Sequence, residues 1–352
     1  MHVVIRADAS RWIGSGHIMR CLVLADAIKA AGHDVTFVCR PQPGDLTGLI
    51  KERGHRLITL PVVRAPLIPR HSADYEAWLQ VAWETDSAQL LVKVASADWI
   101  LVDHYGLPAE WEQEVAKALR CRVLAIDDLA RPHSCDILVD PTALRCHSAY
   151  YGLVPAHCLC LVGAKYALLA PGFKEWRKII RKTHRDPRRV LVSMGGIDEP
   201  NATLRVLKVL KAVAEKLSVT VLLSQRAPHY HPVKSYCDSN KDWIQHIDFC
   251  DNMAELMAEH GVAIGAPGST SWERACLSLP SIVIPLAENQ GAICASLVKA
   301  KAAISIPIDA IENELLSALG HLQEHYEIYQ DNNWILCDGD GCERVLGYLI
   351  NE

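Results

Sequence analysis

The chain has 352 residues, half of them hydrophobic and 22% charged, a composition that describes a folded two-domain protein and excludes a disordered tail or a disulfide miniprotein. Its formal net charge of −5 supplies no basic field to hold polyanions, so nucleic acid is not expected as a partner. Thirteen cysteines without a Cys-x-x-Cys pair read as buried thiols of a reducing compartment; with no apolar run near the ~18 residues of a membrane span and no leader-like N-terminus, a cytoplasmic protein without membrane contact is expected.

The first half alternates short β-rich runs with helical patterns. Val3–Arg6 reads as a strand, followed by a helix from about His17 to Ala31, the strand Val35–Val38 and a helix near Asp45–Arg53. The strand His55–Leu60, one long helical stretch from about Asp74 to Ala95 and the strand Trp99–Val102 continue the pattern, and Cys121–Ile126 and Ile137–Val139 add two more strands. Strand–helix repetition of this kind makes a parallel sheet covered on both faces, here a Rossmann-like layer of six or seven strands.

Between about Lys165 and Arg189 the pattern changes to Pro171-Gly172 and a basic run of Arg177, Lys178, Arg181, Lys182, Arg185, Arg188 and Arg189. This reads as an interdomain connection whose charges form either a solvated face or a contact for a phosphate-bearing ligand or an acidic partner. The alternation then restarts with strands at Val190–Ser193, Val219–Leu223, Trp243–Ile247, Val262–Ile264 and Ile282–Ile284, and helices from about Asn201, Asp251, Gly268, Asn289 and Asp309. The expected architecture is α/β, two Rossmann-like domains facing across a cleft. Residues 1–165 form the first, 166–188 a linker, 189–332 the second, and 333–352 a helical tail expected to pack back on the first domain.

Chemistry is expected where strands give way to helices. Arg6-Ala7-Asp8 ends the first strand and leads into Gly14-Ser15-Gly16-His17-Ile18-Met19-Arg20. The glycines permit a tight turn, and the helix behind them aims free N–H groups and a positive dipole end forward. A histidine in that first turn is either a neutral, proton-accepting base or a helix-start side chain with a backbone partner. Met19 stands where a dinucleotide fingerprint would have its third glycine, which argues against a nicotinamide oxidoreductase. Asp103 and His104, at the end of a strand, either orient a ligand or assist proton movement, or merely close a turn.

In the second half, Gly195 and Gly196 close a strand and allow backbone to approach a phosphate, while Gly268, Ser269 and Thr270 offer N–H and hydroxyl donors at another strand-to-helix turn. Glu273, one helical turn beyond Ser269, suits the two hydroxyls of a ribose; a helix cap with a surface glutamate is the plainer alternative. Asn289 and Gln290 end a further loop, with Asn289 either an N-cap or a ligand contact. Asp338-Gly339-Asp340 has the pattern of a cation-binding Asp-x-Asp but sits in the tail, where a solvated turn is expected. No metal ligand set and no cofactor are expected.

Taken together, Arg6-Ala7-Asp8 with Gly14–Cys21, Val102-Asp103-His104-Tyr105, Ile126-Asp127-Asp128, Gly163–Leu169, Ser193–Gly196, Gly268-Ser269-Thr270 with Trp272-Glu273-Arg274, and Leu286–Gln290 resemble the nucleotide-sugar hydrolases of the pseudaminic acid pathway, which act on UDP-2,4-diacetamido-2,4,6-trideoxy-β-L-altropyranose. The resemblance runs over nearly the full chain and implies a GT-B architecture used for hydrolysis. It implies that His17 activates water, that Glu273 binds the ribose of UDP, and that Asn201 and Asn289 join the substrate-binding set. Asp8, Gly16, Arg20, Asp103, His104, Tyr105, Gly195, Gly196, Gly268, Ser269, Thr270 and Gln290 complete the expected site. Where the family's pattern has glycine, this chain has Gln80. The implied reaction releases UDP and free sugar with inversion, without metal, from a monomer or weak dimer, and serves glycosylation of flagellin or another surface glycan. A GT-B glycosyltransferase using the same donor, or a non-catalytic nucleotide-sugar-binding protein, would keep the same nucleotide residues.

Overall fold

The computed structural model describes residues 1–181 and 185–351, so Lys182 of the basic run lies outside the described residues. The chain divides into two compact units, the first comprising Met1–Leu168 and the stretch from Asp340 onward, the second Leu169–Gly339.

In the first unit β1 (His2–Ala7), α1 (Gly16–Ala30), β2 (Asp34–Cys39), α2 (Thr47–Glu52) and β3 (Arg56–Thr59) follow in order. Next come α3 (Tyr75–Leu79), α4 (Trp83–Lys93), β4 (Trp99–Asp103), α5 (Ala109–Leu119), β5 (Arg122–Ile126), β6 (Ile137–Asp140) and β7 (Leu159–Val162). The seven strands lie in the order β3-β2-β1-β4-β5-β6-β7, all parallel. Near-continuous apolar strands bury both faces, and the period of two divides them. Val3, Ile5, Ala7 and Leu101 pack with α1, whereas Val4, Ile100 and Val102 pack with Leu90 of α4 and Trp111 of α5.

The long helix expected over Asp74–Ala95 is instead two helices, because Gln80 adopts a left-handed conformation (φ 70°, ψ −13°) that ends α3.

The second unit opens with α6 (Pro171–Ile180) and β8 (Arg189–Ser193), then α7 (Ala202–Leu210), β9 (Ser218–Leu222), α8 (Tyr230–Asp238) and β10 (Ile244–Ile247). It continues through α9 (Met253–Ala258), β11 (Val262–Gly265), α10 (Ser269–Cys276), β12 (Ser281–Val283), α11 (Gly291–Lys299), β13 (Ala303–Ser305), α12 (Ile311–Glu324) and α13 (Tyr326–Leu336). Its six parallel strands are ordered β10-β9-β8-β11-β12-β13.

The stretch read as a linker and the C-terminal tail are both built into these units. The region 166–188 contains α6, where Arg177 is buried, stacks 3.4 Å over the Trp334 ring and donates to the carbonyls of Cys276 and Trp334, each at 2.7 Å. Arg185 is buried as well and donates to the Ser278 carbonyl, so neither of these two arginines belongs to a solvated face. After the Asp338-Gly339-Asp340 turn, α14 (Gly341–Asn351) runs along α1 and adds Cys342, Val345 and Leu349 to the first unit's core. Gly341 is required there: a Cβ would fall 2.3 Å from the Ala167 carbonyl oxygen.

On the α4 face of the first sheet a balanced charge cluster is fully enclosed. Arg6 donates to both oxygens of Asp86 at 3.0 and 2.8 Å and to Asp8 at 2.6 Å, and Arg40 donates to Asp86 at 2.8 Å. Burial works to raise the Asp86 carboxyl, but the two guanidinium groups override it and hold it at about 2. Removing one member of such a cluster strands the others. Asp86→Ala is therefore expected to destabilise the protein by about 3–5 kcal/mol in urea unfolding, and a loss below about 1 kcal/mol would contradict the assignment.

Candidate active site

In each sheet the strand order reverses once, between β1 and β4 in the first unit and between β8 and β11 in the second. Connections leave such a point in opposite directions and open a crevice at the carboxyl ends of the strands, where ligands of doubly wound sheets bind. Both candidate sets of residues lie at these two points.

In the first unit, the chain leaving β1 turns back on itself, with the Gly14 N–H on the Ser10 carbonyl at 2.8 Å, and enters α1 with His17 in the first turn. β4 delivers Asp103 at its last position. The two meet: His17 Nδ1 lies 2.6 Å from Asp103 Oδ1. Arg20, one turn along α1, clamps the same carboxylate with Nε on Oδ2 and Nη2 on Oδ1, both at 2.6 Å, and Cys21 Sγ approaches Oδ2 at 3.5 Å. Arg20 Nη1 reaches Asp128 Oδ2 at 3.0 Å, and the Tyr105 hydroxyl donates to the other oxygen of Asp128.

The electrostatics of this cluster follow from the arginine. Asp103 is completely buried, which by itself favours a neutral carboxyl, yet Arg20 and then His17 hold it well below the usual carboxylate range. A carboxylate that stays ionised can only accept. The hydrogen between it and His17 is therefore carried by Nδ1, and in the neutral ring Nε2 is the acceptor. Burial, reinforced by Asp128, pushes the Tyr105 hydroxyl well above its ordinary value and keeps it a donor. Around His17 the Tyr105 ring stands edge-on at 4.7 Å and the Trp78 ring at 6.4 Å, with Tyr75 packed on both aromatics.

The remaining first-unit residues separate from this group. Asp103 and His104 are neighbours in sequence but opposite in direction. His104 is buried with its Nε2 3.5 Å from Asp8 Oδ2, and its Nδ1 accepts the Gly106 N–H at 3.0 Å. Burial pulls its pKa down to about 3 against the pull of Asp8, so the ring is neutral. Asp8 accepts from Arg6 and from the Arg40 N–H and belongs to the enclosed charge cluster.

In the second unit, β8 runs into Gly195 and Gly196, both exposed, with Gly195 in the left-handed region (φ 86°) that favours glycine. β11 leads into α10, whose first turn carries Ser269 and Thr270, half-buried, and whose next turn carries Glu273. Burial raises the Glu273 carboxyl to about 7 despite the adjacent Arg274. Asn201 occupies the N-cap position of α7 in a left-handed conformation (φ 56°), but the capping is done by Asp198, whose carboxylate accepts the N–H groups of Ala202 at 2.8 Å and Thr203 at 2.9 Å. Asn201 Oδ1, like Asn289 Oδ1, is buried without a hydrogen-bond partner among the described residues. Gln290 braces its own loop through the Leu286 N–H at 2.7 Å.

Sequence reasoning passed over Asp128, Tyr75 and Trp78 as site residues, and a second buried network beside Asp128. There His133 Nδ1 meets Glu112 at 2.8 Å, and its Nε2 lies 3.7 Å from Asp127, which also binds Arg131 and Tyr150. Strand-end carboxylates after β4 and β5 were the available signal. Among the described residues no group of three or more His, Cys, Asp or Glu side chains is arranged to hold a metal ion, and no helix is long and apolar enough to cross a membrane.

Residues 195–333 match the glycosyltransferase family 28 C-terminal domain. The chain is 29% identical over 299 residues to UDP-2,4-diacetamido-2,4,6-trideoxy-β-L-altropyranose hydrolase of Campylobacter jejuni, covering 85% of this chain and 97% of that one. It is 22% identical over 358 residues to the spore coat polysaccharide biosynthesis protein SpsG of Bacillus subtilis, covering 99% and 98%. Among solved structures it is similar to MurG of Acinetobacter baumannii, with a TM-score of 0.66 at 16% identity over 100% and 99% of the two chains. The spinosyn rhamnosyltransferase SpnG complexed with thymidine diphosphate gives a TM-score of 0.63 at 15% identity over 100% of both. The fold is thus that of two parallel-sheet α/β domains of the GT-B glycosyltransferase kind, and the resemblance read from the sequence stands.

The His133 network sets a pH limit on stability. Burial opposes the imidazolium, but Asp127 and Glu112 override it and raise the pKa to about 9. A group raised in the folded state stabilises fully below its unfolded value of about 6.5 and loses that contribution as pH climbs through the folded value. Unfolding free energy is expected to fall by on the order of 3 kcal/mol between pH 6.5 and 9.5, with the slope abolished in His133→Gln; the same slope in both proteins would contradict the network.

Proposed function

We propose that this protein hydrolyses a UDP-linked 2,4-diacetamido-2,4,6-trideoxy sugar at the anomeric carbon, releasing UDP and the free sugar with inversion. The observation that carries the reading is the His17–Asp103 contact: a histidine whose Nδ1 is fixed by an ionised carboxylate and whose Nε2 is left to take a proton. The similarity to the C. jejuni hydrolase over most of both chains supports the substrate class.

In this reading the second unit holds the nucleotide. Glu273 accepts the ribose hydroxyls, and backbone N–H groups at Gly195, Gly196 and the start of α10, with the hydroxyls of Ser269 and Thr270, receive the diphosphate and stabilise the charge it gains on leaving. Asn201 and Asn289, half-buried at the turns beside these groups, join the substrate-binding set. In the first unit, His17 Nε2 draws a proton from water as the oxygen attacks the anomeric carbon, and the glycosidic bond to the diphosphate breaks through an oxocarbenium-like state. A single displacement inverts the configuration. Asp103 stabilises the imidazolium that forms, as the carboxylate does in a catalytic triad. Asp8 and His104, being enclosed, support the scaffold in this scheme and do not touch substrate. The chemistry runs without metal in the cytoplasm, from a monomer or weak dimer, and feeds glycosylation of flagellin or another surface glycan.

A transferase using the same donor is the second reading, favoured by the family 28 domain match and the GT-B fold. A non-catalytic binding protein leaves the dyad without a use.

Incubation of the protein with the UDP-sugar in ¹⁸O-water and EDTA separates the three. Label in the free sugar, lost about 10²- to 10⁴-fold in rate in His17→Ala with UDP affinity retained, is the expected outcome. Label in the nucleotide, an undiminished His17→Ala, or UDP release only after an acceptor is added would overturn the proposal.

A further inference from the structure

The turn between α3 and α4 carries an unusual combination of features. Gln80 holds a left-handed backbone (φ 70°) that side chains other than glycine rarely adopt, and it is buried at 4% exposure. Its amide is used at both ends: Oε1 accepts the Leu67 N–H at 2.8 Å, while Nε2 donates to the Leu67 carbonyl at 2.9 Å and to the Ala77 carbonyl at 2.6 Å. One side chain thus pairs both backbone groups of Leu67, as a neighbouring strand would, and closes α3 as well. The same segment is tied twice more, by Gln42 Nε2 on the Trp78 carbonyl at 3.0 Å and by Asp74 on the Arg70 N–H and Nε at 3.1 and 2.9 Å.

Unfavoured backbone conformations persist only where the surroundings over-determine them, and they concentrate where geometry matters to function. The five residues of α3 have that importance, because they present Tyr75 and Trp78 to Tyr105 and His17.

We infer that Gln80 is a positioning residue for sugar recognition: by clasping Leu67 and Ala77 it sets the Tyr75–Trp78 aromatic wall beside His17, against which the apolar substituents of the sugar pack. The inference rests on the proposed sugar-nucleotide substrate and deepens it, assigning the deoxy and acetamido methyl groups to the first unit's aromatic cluster. Gln80 itself touches neither substrate nor the attacking water; it acts through Trp78.

Two variants test this. Gln80→Gly keeps the left-handed turn without strain and removes the clasp; Gln80→Asn tolerates the turn and keeps the amide but is one methylene too short to span Leu67. Hydrogen exchange of the peptide containing Leu67 is expected to quicken about tenfold in both, with the thermal midpoint of Gln80→Gly held. In the His17→Ala background, where turnover is lost, calorimetry is expected to show affinity for the UDP-sugar falling about three- to tenfold while affinity for UDP alone is unchanged. Unchanged exchange at Leu67 overturns the clasp, and quickened exchange with unaltered UDP-sugar affinity overturns its role in recognition. A wild-type protein that binds the UDP-sugar without hydrolysing it sinks the hydrolase reading and leaves this one standing.

Discussion

The Asp103 carboxylate is the constraint on which the first unit's buried polar cluster depends. It is fully enclosed at the end of a central strand, a place where a lone carboxyl would take up a proton and lose its value as an acceptor. Arg20 prevents that with two contacts of 2.6 Å. Because the carboxylate then has only acceptor capacity, it dictates the state of the histidine it touches, and a ring that could carry its hydrogen on either nitrogen is confined to one tautomer. Arg20 is in turn oriented by Asp128, and Asp128 by the Tyr105 hydroxyl, so the geometry at His17 is secured by strand ends two positions away in the sheet.

The topology explains why these groups converge. In a parallel sheet every strand delivers its last residue to the same edge, and at the reversal between β1 and β4 the helix after β1 and the side chains at the end of β4 share one crevice. The second unit repeats the arrangement with different chemistry: glycine turns, small hydroxyls and amides in place of a buried charge relay. Such a surface suits a diphosphate held by backbone N–H groups, whereas the first unit's suits proton transfer. The division of labour proposed here follows from that difference in composition.

Much of this was legible in the sequence, for a physical reason. Strands of a doubly covered parallel sheet are continuous apolar runs, so Val3–Arg6, Trp99–Val102 and Val190–Ser193 stood out, and the glycine-bearing turns after them marked the strand ends that carry the candidate residues. What escaped was set by tertiary partners. The stretch Asp74–Ala95 has helical composition throughout, and only the clasp of Gln80 on Leu67 shows why it breaks. Arg177 and Arg185 look like surface charge until Trp334 and the carbonyls of Cys276 and Ser278 are seen to enclose them. Asp103 and His104 formed one polar cluster in the sequence, but the alternation of side chains at the strand end sends one to His17 and the other to Asp8. Asn201 does stand at a helix start as read, although the carboxylate three residues earlier, a local partner, takes the capping role.

The central claim is that an ionised Asp103 fixes His17 with its hydrogen on Nδ1 and Nε2 free. Nitrogen NMR of protein labelled in its histidine rings reads this directly. With the ring neutral, the His17 signals are expected to show a protonated Nδ1 and an unprotonated Nε2, with that pattern lost in Asp103→Asn. A ring protonated on Nε2 instead, or one unaffected by the Asp103 substitution, would contradict the account.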